Sequence, residues 1–142
     1  MIITNTEFKE IILEPESITG KFNQMGLSAN SILLLLIIAI FKTSLSEEIL
    51  FRGFITKRLI GLLGFIKGNV LQATIFGAIH TALFALITAN LVFLIVIFIL
   101  PTLGAYVSGY LNEKIGNGSI YPGWISHGLA NVIAYSVVGF IL

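Results

Sequence analysis

A chain of 142 residues that is 56% apolar and only 11% charged cannot cover a water-facing surface with ions, since a soluble domain carries about 25%. Its mean hydropathy of +1.00 points to lipid. The lack of cysteine excludes disulfides and thiolate metal sites, and a net charge of +1 without a basic patch gives no nucleic-acid signal.

The length fits one domain of roughly four to five spanning helices of about 20 residues each. Residues 1–30 mix Glu7, Lys9, Glu10, Glu14, Glu16 and Lys21 with Ile3, Phe8, Ile11 and Ile12. Positions 8, 11 and 12 share one helical face, and Pro15 ends that pattern. The spacing predicts a short amphipathic helix at the membrane interface, then a loop through Gly20 and Gly26. A partner-binding segment is the alternative. These residues are too polar for a signal-peptide core, so an integral protein inserted by its own helices is expected.

Residues 31–142 are expected to form the membrane domain. Ser28-Ala29-Asn30-Ser31 offers a helix start, and a long helix is predicted from Ile32 to about Leu63. At ~45 Å it exceeds the ~30 Å hydrocarbon layer, so its basic end, Lys57 and Arg58, should emerge. The second span is predicted at Asn69–Thr88 and the third at Leu91–Leu111, kinked by Pro101 and Gly104. A polar loop is expected over Asn112–Ser119. The fourth span runs from Tyr121 to Leu142, with Pro122 at its entrance and Tyr121 and Trp124 in an interfacial belt. The fold class is therefore all-α, a polytopic membrane helix bundle of about four transmembrane helices plus the N-terminal amphipathic helix. Lys57, Arg58, Lys67 and Lys114 place the 57–67 and 112–119 connections in the cytoplasm.

Against this background stands a polar set inside the spans: Glu47, Glu48, Arg52, Gln72, His80, His127 and Asn131. A carboxylate in hydrocarbon costs several kcal/mol, so each marks a candidate site. Counted from the same membrane side, Glu48, His80 and His127 lie at depths of ~20, ~17 and ~12 Å, which overlap within helix tilt. Glu48 and Arg52 are spaced i, i+4 in the better order for an ion pair. His127 and Asn131 share a face, as do Phe76 and His80, while Glu47 points about 100° away from Glu48. A carboxylate beside an imidazole in a dry pocket activates water, and a second His with an Asn amide can donate to an oxyanion. The same Glu and His side chains could hold a metal, although no His-Glu-x-x-His pair is present.

Each residue alone has an ordinary structural reading. Glu48–Arg52 can be a buried ion pair, His80 a packed histidine, Asn131 and Gln72 interhelical hydrogen bonds, Phe76 plain packing, and Lys42 a snorkelling side chain. Their convergence at one depth from three helices is what those readings do not explain.

The ordered set Glu47-Glu48-Ile49-Leu50-Phe51-Arg52, then Phe76-Gly77-Ala78-Ile79-His80, then His127-Gly128-Leu129-Ala130-Asn131 resembles the three motifs of the CPBP family. That family comprises intramembrane proteases, among them the CAAX prenyl endopeptidases and the bacteriocin-processing or immunity (Abi) proteins. The resemblance covers about residues 43–142. It implies an endopeptidase in which Glu47 and His80 activate water, His127 and Asn131 stabilise the oxyanion, and Glu48, Arg52 and Phe76 support them. It leaves a divalent metal such as zinc open, with Glu47, His80 and His127 as ligands. The implied setting is a bacterial cell membrane, with a membrane-associated protein or peptide as substrate. Many members carry further N-terminal spans, so substrate gating here is expected to be reduced or supplied by another protein. Two other functions fit the residues: a non-catalytic bacteriocin self-immunity or membrane partner protein, and a proton or ion pathway.

Overall fold

The computed structural model describes residues 5–142; residues 1–4 of the expected N-terminal segment, including Ile3, lie outside it. Among the described residues the chain is helical with no strand. The helices are α1 (Asn5–Ile12), α2 (Ile18–Met25), α3 (Ala29–Leu63), α4 (Phe65–Ala85), α5 (Leu91–Ile115) and α6 (Tyr121–Phe140).

Local chemistry sets the boundaries. Ser28 and Ser31 form a reciprocal capping box at the start of α3, with backbone-to-hydroxyl bonds of 2.8 and 3.1 Å, worth about 1 kcal/mol. Asn90 Oδ1 accepts the Phe93 amide at 3.1 Å and caps α5. Pro122 stands in the first turn of α6, where its missing N–H is harmless. The predicted 57–67 connection is a single corner at Gly64. Its φ of +79° is open to glycine and strained for other residues. The loop expected from Asn112 onward likewise begins later: α5 continues to Ile115 and carries Asn112 into the interior.

α3 and α5 are long and apolar enough to cross a membrane. α4 and α6, of 21 and 20 residues, carry several of the polar site residues, which lowers their apolar average. α4 lies along α5, and α6 along the first half of α3. Lys57 at the end of α3 reaches the Gly118 carbonyl at 2.6 Å, which joins the two basic connections at one end of the bundle. At the other end, Glu7 accepts from the Asn90 amide at 3.0 Å and Lys9 donates to the Leu142 carbonyl at 2.8 Å.

The N-terminal stretch differs from expectation. Part of the anticipated loop is helix α2, capped by Ser17. It buries Phe22 against Phe140, with ring centroids 5.8 Å apart, while Phe8 of α1 meets Phe93 at 6.1 Å. Both short helices pack on the bundle.

The interior is small and partly polar. Phe51, Ala73, Phe76 and Ala105 form its apolar cluster. Beside it lie Glu48, Arg52, Thr56, Asn69, Gln72 and Asn112, each at most 2% exposed. Leu91, Leu100 and Leu103 face outward. Such an arrangement suits a solvent of hydrocarbon, where apolar side chains need no burial and polar ones must find partners.

α3 is not a regular α-helix throughout. Ile37–Leu45 and Glu48–Thr56 are π-helical, bonded i→i+5, with Ser46 and Glu47 between them. Ser44 follows the same step through its hydroxyl, donating to the Ala39 carbonyl at 2.6 Å. A wider turn rotates less per residue than the ~100° of an α-helix, so neighbouring side chains lie closer in direction.

Candidate functional site

The wide turns of α3 present both glutamates to one residue of α6. His127 Nδ1 stands 3.3 Å from Glu48 Oε1, and its Nε2 stands 3.6 Å from Glu47 Oε2. The adjacent acids, expected to diverge, grip the two edges of one imidazole ring.

Their surroundings differ. Glu48 is fully buried and held on all sides. Its Oε1 accepts from Ser108 Oγ at 2.8 Å and lies 3.3 Å from Arg52 Nε; its Oε2 accepts from Asn112 Nδ2 at 3.0 Å. The expected i, i+4 ion pair with Arg52 is present. Asn112 is fixed in turn by the backbone N–H of Gly123, which donates to its Oδ1 at 2.6 Å. The network thus runs from α3 through α5 to α6. Glu47 keeps 27% of its side chain exposed, yet its Oε2 is buried without a hydrogen-bond donor.

Arg52 is braced by aromatic rings as well as by charge. Its guanidinium sits 4.6 Å from the Phe76 ring centroid, and Phe51 meets Phe76 edge-on at 4.8 Å. Phe76 also packs against both imidazoles, with centroids 4.3 Å from His80 and 6.1 Å from His127. It is the hub of the aromatic side of the site.

His80 packs on that ring. Its Nδ1 lies 2.9 Å from the Phe76 carbonyl. A carbonyl only accepts, so Nδ1 carries a proton; in the neutral form of the ring Nε2 is then an acceptor. No ion-pair contact joins His80 to either glutamate among the described residues, so the depth-matched trio is realised as a Glu47–His127–Glu48 cluster with His80 beside it. Asn131, one turn beyond His127, donates to Ser44 Oγ at 3.0 Å and has a second amide N–H to offer. Gln72 makes the expected interhelical bond, to the Ala105 carbonyl at 3.0 Å, and also binds Asn69 Oδ1 at 2.8 Å.

Ser44, Ser108 and Asn112 escaped the sequence reading; Trp124, expected in an interfacial belt, donates its indole N–H to the Ile40 carbonyl at 2.7 Å. Ser108 and Asn112 are themselves an i, i+4 polar pair on an apolar helix, the spacing that singled out Glu48–Arg52 and His127–Asn131. The charged residues after Asn112 made it look like the start of a loop.

A metal does not fit the residues as they stand. Among the described residues no three His, Asp or Glu side chains come together as a metal-holding group. His127 Nδ1 is taken up by Glu48, and among the described residues His80, with Nε2 free, makes no ion-pair contact with either carboxylate.

A helical membrane protein with an imidazole clamped between two carboxylates is equipped for acid–base chemistry on a bond near lipid. The family model "Type II CAAX prenyl endopeptidase Rce1-like" matches residues 29–133, and the chain belongs to that family of membrane-embedded proteases. No curated protein and no solved structure matches the chain.

Proposed function

We propose that the protein is an intramembrane endopeptidase that hydrolyses a peptide bond of a membrane-associated protein or peptide, with Glu47 as general base. One observation carries this reading. Of the two site carboxylates, only Glu47 has a buried oxygen without a donor, and that oxygen faces His127 Nε2 across 3.6 Å. An oxygen free of donors can take a proton from water, whereas Glu48 already accepts from Ser108 and Asn112, meets His127 Nδ1 and is ion-paired with Arg52.

A water beside Glu47 gives up its proton to the carboxylate as its oxygen attacks the carbonyl carbon. His80 Nε2 helps to hold that water as a second acceptor. The oxyanion takes hydrogen bonds from His127 and from the free amide N–H of Asn131. For this His127 carries both protons, its Nδ1–H held by Glu48. The tetrahedral species then breaks at C–N, and protonated Glu47 returns its proton to the leaving amine. No metal enters these steps.

The test is cleavage of candidate leader peptides by the reconstituted chain, with and without chelator, for the parent, Glu47→Ala and His80→Ala. Loss of cleavage in both variants with normal membrane insertion is expected. Cleavage retained by both overturns the reading.

A further inference from the structure

The basic end of the bundle carries a second polar feature, away from the Glu47–His127 cluster. Glu113 is the one acid among residues 49–142, and Lys57 pairs with it at 3.4 Å. Arg58 lies over the Phe54 ring at 4.7 Å. Among the described residues Lys67 and Lys114 have no carboxylate partner, and both line one cavity of about 650 Å³ where the end of α3 meets the start of α4 and the end of α5.

The walls of this cavity have two chemistries. Lys67 and Lys114 bring cationic heads. Phe65, Ile66, Tyr106 and Tyr110 bring apolar and aromatic surface, with Phe65 and Tyr110 packed at 6.3 Å between centroids. Lys114 Nζ is held 4.4 Å over the Phe65 ring, which positions the cation and leaves its N–H donors free for an anion. Ile66, Val107 and Leu103 continue outward as exposed apolar surface at 69, 51 and 57% exposure. Helix ends with lysines and tyrosines belong at headgroup height, and the apolar surface continues toward acyl-chain depth.

We propose that this cavity binds an anionic phospholipid, its phosphodiester between Lys67 and Lys114 and an acyl chain along Ile66 and Val107. Charge complementarity selects an anion, and the adjoining lipid-facing wall selects one that carries a hydrocarbon tail. Basic pockets between membrane helices recognise headgroups on this principle. The site would tie the α3–α4 corner and the end of α5 to the bilayer surface, next to the buried Asn69 and Asn112 that brace the interior.

Native mass spectrometry of the full chain in detergent, titrated with phosphatidylglycerol or phosphatidylcholine, tests this. One retained phosphatidylglycerol per chain is expected, preferred about thirtyfold over phosphatidylcholine if each lysine contributes as a surface cation does. Lys67→Gln with Lys114→Gln should bring that ratio close to one, while Lys42→Gln, at an exposed site on α3, should leave it unchanged. Both lysines are exposed, and thermal unfolding of the double variant checks that it still folds. Equal retention of the two lipids by the parent, or an unchanged preference in the double variant, overturns the proposal. Displacement of phosphatidylglycerol by an equal concentration of inorganic phosphate overturns the lipid assignment.

Discussion

The two halves of the site are built from adjacent residues and behave oppositely. On the α5 side, Glu48 is enclosed by Ser108, Asn112 and Arg52. On the α6 side, Glu47 meets His127 alone and keeps one oxygen without a donor. A carboxylate that has received its full set of hydrogen bonds is a structural anion. One left short of donors in a partly dry cleft can still accept a proton. Chain position separates these acids by one residue; the supply of donors separates their roles.

The comparison breaks most visibly if Glu48 is removed. In Glu48→Ala, Arg52 stays buried beneath Phe76 without its ion-pair partner, and Ser108 and Asn112 lose their acceptor. Breaking a buried pair from one side costs about 3–5 kcal/mol. Chemical denaturation in detergent should show that loss, or expression should fail. A variant as stable as the parent would mean that the enclosed half does not hold the fold.

Glu47→Gln should do the reverse. The amide fills the same volume and faces the half-exposed side, so stability should stay within about 0.5 kcal/mol, as for surface replacements. Cleavage should fall by about 10²–10⁴-fold, the usual contribution of a general base. Rates measured on the purified variant beside its unfolding curve separate the two effects. A stable variant with parental cleavage would move the base elsewhere.

Gly123→Ala probes the joint between the halves. The added Cβ would run into Ser108 Oγ and the Asn112 amide, the groups that hold Glu48. Overpacking of this kind costs about 1–3 kcal/mol. The unfolding midpoint should drop without a matching loss in the catalytic rate of the folded fraction.

Much of this was legible in the sequence because polarity in an apolar helix has to be explained. Glu48 and Arg52 at i, i+4, the two histidines and Asn131 stood out against hydrocarbon, and the structure joins the first pair directly. Depth counting brought Glu48, His80 and His127 to one level. It could not give the rotation of each helix, and so it grouped His80 with the acids, whereas His80 faces the Phe76 carbonyl. The π turns of α3 were also out of reach: Ile37–Leu45 reads as ordinary apolar helix, and the wider step depends on packing. The same limit hid Asn112, whose charged neighbours Glu113 and Lys114 suggest a loop until the helix is seen to continue past them. Helix α2 was obscured by Gly20 and Gly26, one of which lies inside it and the other at its cap.

The smallest expected effect concerns Thr56, two turns below Glu48 on the enclosed side. Its hydroxyl is fully buried and has no hydrogen-bond partner among the described residues. A hydroxyl in that state has lost its water without replacement, so the near-isosteric Thr56→Val exchanges an unsatisfied group for a methyl. The change should be neutral or stabilising by about 1 kcal/mol. Destabilisation beyond that would show that the hydroxyl is satisfied by internal water. The enclosed half would then be hydrated, and the contrast between a dry structural acid and a wet chemical one would have to be redrawn around which carboxylate that water reaches.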